Sequence, residues 1–199
     1  MEDEDETIEL QIDDDSGLLA LVVSSEYRSF VSEDWTYEQV LDHFAAQMQA
    51  RNILVWGCGD GGNLYRVQVA AGFTSIEGYR NATGVINPVN GRLHLASYTA
   101  LTMAAQFADY HIPSDDEATL AFSLPAAMTR IRVIQMYDPA ATDAGSMSGP
   151  HFRIEHEPGD AEAWTEAAWE SNRAPRVPHD GDRPGAVSRI LKGLFSGRR

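Results

Sequence analysis

Thr7-Ile8-Glu9-Leu10-Gln11-Ile12-Asp13-Asp14-Asp15-Ser16-Gly17-Leu18-Leu19-Ala20-Leu21-Val22-Val23 carries most of the information about architecture in this chain. The first six residues alternate polar and apolar. Successive side chains of a strand point to opposite faces, so this is a strand with one face buried. Asp13–Ser16 are turn formers, and Gly17 accepts the positive φ that closes a tight turn. Leu18–Val23 is apolar without a break, as in a strand covered on both faces. Residues 7–23 are therefore expected to form a hairpin.

Outward from this stretch the next element is a helix. Thr36 is a good N-cap, Gln39 completes a capping box, and Glu38 favours the positive helix N-terminus. Val40, Leu41, Phe44, Ala45 and Met48 then form one apolar stripe, which predicts a helix over about 36–50. From Asn52 onward the pattern returns to short β runs: Ile53–Trp56, Tyr65–Val69, Phe73–Gly78, Val85–Val89, Arg92–Ala96, Leu101–Phe107, Thr119–Leu124, Ile131–Tyr137 and Phe152–His156. Asn90-Gly91 suits a type I′ hairpin turn, because both residues accept the left-handed region. Residues 138–150, rich in Asp, Ala, Gly, Ser and Pro, read as a loop. The expected fold class is mainly β (α+β): an antiparallel β-sandwich-like sheet with one covering amphipathic helix and a short C-terminal helical region. That last region is Asp160–Ser171, where helix formers dominate and acids sit in the first turns. The domain reading is a β-rich unit over 1–171, a Pro-rich linker over 172–185 (Pro175, Pro178, Pro184) and a basic amphipathic segment over 186–199.

The 199 residues carry 30 acids and 15 bases, a formal net charge of −15. Residues 1–50 hold 14 of those acids and a single base, Arg28, whereas residues 172–199 hold seven bases and two acids. An acidic first quarter repels phosphates, so direct nucleic acid binding by the domain is not expected. The same charge attracts and orients a basic protein. The start of the chain, Met1-Glu2-Asp3-Glu4-Asp5-Glu6, lacks the charge and apolar core of a secretory signal, and no run has the length of a membrane span. With Cys58 as the only cysteine, neither a disulfide nor a thiolate cluster is expected, and a cytoplasmic location fits.

Motifs for catalysis are sparse. Gly57-Cys58-Gly59-Asp60-Gly61-Gly62 spells G-x-G-x-x-G, but a strand pattern follows where a dinucleotide fold needs a helix, so the glycines read as a hairpin loop. Asp13–Asp15 could hold calcium, yet Ser24 stands where an EF-hand needs its bidentate glutamate, and a turn is the better account. His151 and His156 fall on opposite faces of a strand, His43 reads as a surface residue beside Asp42, and no histidine spacing suits zinc. No cofactor or metal and no catalytic residue are expected. Glu33-Asp34-Trp35 offers an aromatic flanked by acids, an anchor for a basic partner. The same Trp35 also suits a hydrophobic staple ahead of the helix.

Between Ile76 and Pro139 a strand pair surrounds Asn90-Gly91, a strand ends at Leu124-Pro125, and Arg130-Ile131-Arg132-Val133-Ile134 closes at Asp138-Pro139. This ordering, over about a third of the chain, resembles the competence protein J family, small cytosolic β-rich inhibitors of a DNA-cleaving nuclease. The resemblance implies a nuclease-inhibitor or immunity-type role and carries no inhibitory residue across.

The functional expectation is an acidic intracellular binding protein that neutralises a basic partner such as a nuclease toxin. Asp13, Asp14, Asp15, Glu33, Asp34 and Trp35 are its expected contacts. A second reading is a scaffold module docking through Arg189, Lys192, Arg198 and Arg199, and a third is an enzyme of unrecognised type.

Overall fold

The computed structural model describes residues 7–29, 35–59 and 61–169. In chain order these form β1 (Ile8–Asp14), β2 (Leu18–Val22), α1 (Tyr37–Gln49), β3 (Ile53–Gly57), β4 (Asn63–Ala71), β5 (Arg80–Ile86), β6 (Arg92–Ser97), α2 (Tyr98–Gln106), β7 (Ala121–Ser123), β8 (Thr129–Gln135) and β9 (Phe152–Pro158). The expected mainly β, α+β class is found, with two helices, α1 and α2, covering one sheet where one was expected. One sheet has the order β1-β4-β9-β8-β5 and the other β3-β2-β6-β7. Pairing is antiparallel except for β4 with β9, whose register sets Val67 opposite Phe152.

Two apolar layers hold these elements together. The first lies between the sheets and includes Leu10, Ile12, Leu19, Leu21, Leu54, Trp56, Tyr65, Val67, Val133 and Phe152. The second lies on the other face of the four-stranded sheet, where Leu18, Ala20, Val22, Ile53 and Val55 meet Val40, Phe44 and Met48 of α1 and Ala100, Leu101, Ala104 and Ala105 of α2. This explains the unbroken apolar runs of β2 and β3: alternate residues serve different layers, and no position faces water. The capping box of α1 is formed as expected, with Gln39 N–H donating to Thr36 Oγ1 and Thr36 N–H donating to Gln39 Oε1.

Several local expectations are corrected. Residues 7–23 are not a hairpin, since β1 pairs with β4 while β2 pairs with β3 and β6. The Asp-rich turn hands the chain from one sheet to the other. The Gly57–Gly62 loop and the Asn90-Gly91 turn do the same, between β3 and β4 and between β5 and β6. Turn chemistry sets a reversal of direction, and a reversal serves a crossover as well as a hairpin. Residues 101–107, expected as a strand, lie largely in α2, where Ser97 accepts from Ala100 N–H as N-cap and alanines fit against the sheet. Phe73–Gly78 is a loop. Asp160–Trp169 is not helical but runs along the sandwich edge, with Ala168 bridging to Trp56 in parallel. A helix would place Trp164 and Trp169 about 140° apart at 100° per residue, whereas bends at Thr165 and Glu166 and the positive φ of 68° at Trp169 let both pack against the layer between the sheets.

Candidate functional site

The Asp13–Asp15 turn is clamped from several sides. Gly62 N–H donates to Asp14 O at 2.7 Å and Cys58 N–H donates to Gly17 O at 2.8 Å, so the glycine loop lies on the turn. A Cβ at Gly61 would collide with the Asp15 carbonyl, which is why glycine is needed there. Asp14 is 3% exposed, and its carboxylate accepts from Ser16 Oγ at 2.7 Å and from Gly17 N–H. Burial pushes its carboxyl up from the usual range against the pull of those hydrogen bonds. Asp14 is thus a turn former, and the expectation that it contacts a partner is corrected by its burial.

Asp13 and Asp15 remain exposed. With Asp14, Gly62, Asn63, Ser97 and Thr99 they line a recess of about 340 Å³. Thr99 Oγ1 donates to Asp15 Oδ1 at 3.3 Å, which ties the carboxylate to the first turn of α2. Neither Asp13 nor Asp15 forms an ion pair among the described residues. The lining of the recess is polar, and the exposed apolar residue beside it is Leu64, paired in register with Asp13 and 49% exposed.

Trp35 packs against the second apolar layer, as a staple ahead of α1 does. Glu33 and Asp34 lie outside the described residues, as do the 172–185 linker and Arg189, Lys192, Arg198 and Arg199. His43, expected at the surface, is half-buried with its ring 5.3 Å from Tyr27, and burial lowers its pKa. His151 is buried, its Nδ1 accepting from Arg66 N–H and its Nε2 bonded to Ala144 O, each at 2.8 Å. His94 is 3% exposed with neither ring nitrogen hydrogen-bonded; burial and then Arg92 lower its pKa to about 4. Cys58 is fully buried. Among the described residues no group of three or more His, Cys, Asp or Glu is placed to hold a metal ion.

The outer face of the five-stranded sheet carries a charged network that sequence reasoning missed. Glu155, with a fully buried side chain, accepts from Arg153 Nε at 2.9 Å, from Arg132, and from the N–H and hydroxyl of Thr74. Arg132 also donates to Thr74 O and lies 4.9 Å from the Phe73 ring, and Arg130 pairs with Glu157. Burial alone raises the Glu155 carboxyl, but hydrogen bonds from Thr74, Arg153 and Arg132 outweigh it and hold the pKa at about 2. The signal was present as alternation: Arg130 and Arg132 on one strand, and Arg153, Glu155 and Glu157 on the next, all point to one face.

No family model matches the chain, and no curated protein matches it in sequence. Two solved structures are similar to it. One, titled Crocagin biosynthetic gene J, is 13% identical, with a TM-score of 0.49 over 77% of this chain and 97% of that chain. The other is ComJ, inhibitor of the DNA degrading activity of NucA, from Bacillus subtilis, 12% identical with a TM-score of 0.39 over 76% of this chain and 93% of that chain. By its name, the second is the competence protein J of the sequence analysis, and the structural resemblance to it is weak. No helix among the described residues is long and apolar enough to cross a membrane.

Proposed function

We propose that the chain is an acidic intracellular binding protein that neutralises a basic partner, in the manner of an inhibitor or immunity protein. A cationic side chain of the partner enters the recess between Asp13 and Asp15. The observation that supports this is a pair of exposed carboxylates with no cation of their own among the described residues, in a chain of net charge −15. Uncompensated surface charge of one sign speeds and orients encounter with the opposite sign. A nuclease-type toxin is the partner class that suits it, because its nucleic acid groove is lined with Lys and Arg. Leu64, exposed beside Asp13, supplies apolar contact next to the recess, where a shielded cation and carboxylate interact more strongly than in open water.

Capture from a lysate of the source cell at low and high salt, read by mass spectrometry, identifies the partner. Association kinetics with the purified partner then test the site. Asp13→Lys with Asp15→Lys is expected to slow association at least about tenfold at low salt and to flatten its salt dependence. An unchanged rate in that variant removes the acidic turn from the interface. Removal of residues 172–199 is expected to leave binding intact, and its loss on that deletion would favour docking through the basic segment.

A further inference from the structure

Residues 160–169 cross the seam where the β3 edge of one sheet approaches the β5 edge of the other. Ala168 N–H donates to Val55 O at 2.9 Å and Gly57 N–H donates to Ala168 O at 2.8 Å, which adds one parallel rung to β3. Trp164 packs against both apolar layers and donates from Nε1 to Thr83 O on β5 at 2.9 Å. Trp169 lies 4.6 Å from the guanidinium of Arg80. The seam is shaped for this segment by missing side chains. A Cβ at Gly84 would come within 2.8 Å of the Trp164 indole and 2.7 Å of Leu54, and a Cβ at Gly57 within 3.3 Å of Trp169 O.

Between Trp164 and Ala168 only Thr165 and Glu166 are exposed, while Ala167 is buried in the second apolar layer. Backbone pairing to a sheet edge, with side chains anchored on either side of it, is how an extended peptide is bound in trans. We infer that the seam is a peptide-binding cleft for an extended segment with tryptophans five residues apart, which the chain fills with its own residues 160–169. The same segment supplied by a second molecule can take its place. The acidic turn has no part in this cleft.

The test uses a fluorescently labelled synthetic peptide of residues 160–169 and the full-length chain, wild type and Trp164→Ala/Trp169→Ala. Weakening the resident segment leaves the cleft intact, so the double variant is expected to keep its circular dichroism spectrum and to bind the peptide saturably. The wild type should bind at least about tenfold more weakly, because its own segment competes at high effective concentration. A peptide with both tryptophans replaced by alanine should bind neither. A folded double variant that ignores the peptide, or equal binding to wild type and variant, overturns the inference. Should the double variant not fold, Trp169→Ala alone decides: tighter peptide binding than wild type supports the cleft, and unchanged binding refutes it.

Discussion

Replacing Glu155 by Gln keeps the shape of the side chain and removes its charge, leaving Arg132 and Arg153 facing a neutral amide in a buried setting. The wild-type carboxyl is held at about 2, against an ordinary value of 4.5. At roughly 1.4 kcal/mol per pKa unit, this gap corresponds to about 3 kcal/mol of stability at neutral pH. Breaking a buried ion pair by deleting one partner gives a similar figure of roughly 3–5 kcal/mol. With a urea slope near 2 kcal/mol/M, the unfolding midpoint should fall by roughly 1.5 M, and the melting temperature by roughly 10 °C. The pH dependence has a definite sign. The folded pKa is depressed, so the contribution is complete above about pH 4.5 and is lost as pH falls towards 2. Wild type and variant should therefore converge in stability through that window. Replacing all three charges together, Arg132→Met, Arg153→Met and Glu155→Leu, should cost much less than the single change, since no charge is left unpaired. A midpoint shift below about 0.3 M for Glu155→Gln would show that the network is solvated and refute this reasoning.

Two further outcomes are expected. Thr36→Ala removes the cap of α1 and should cost about 1 kcal/mol, seen as a melting point about 2–4 °C lower with an unchanged urea slope. His94 has a folded pKa of about 4 against 6.5 when free; protons therefore favour the unfolded chain as pH falls from about 6.5 towards 4. Between pH 7 and 5 the wild type should lose about 2 kcal/mol more than His94→Leu in parallel urea titrations, and equal losses would place the acid sensitivity elsewhere.

Much of this arrangement could be read before any coordinates. The capping box at Thr36 and Gln39 is a local device, and local devices leave complete signatures in sequence. The burial of both faces of β2 was equally visible in the unbroken apolar run Leu18–Val23. What escaped was the partner of each strand. Gly17 and Asn90-Gly91 specify a reversal, but whether the returning strand pairs with its predecessor or joins the opposite sheet depends on residues far away. Residues 98–106 lacked a helical stripe because small residues cover most of α2. Residues 160–169 carry strong helix propensity that two tryptophan anchors override. In the acidic turn, Asp13 and Asp15 were legible as surface charge, while the exposed Leu64 beside them follows only from the β1–β4 register.

The placement of β9 has a consequence for how the protein is made. It lies at the centre of its sheet, between β4 and β8, yet it is the last strand the ribosome delivers among the nine. Until Phe152–Pro158 has emerged, β1-β4 and β8-β5 are two separate ribbons, each with a bare inner edge able to recruit strands from neighbouring chains. Closure of the sheet spans more than eighty residues at the Val67–Phe152 pair, a separation that favours slow, late folding. A nascent chain paused before residue 152 thus exposes two strand edges that the folded protein covers, and the arrival of a single strand closes both.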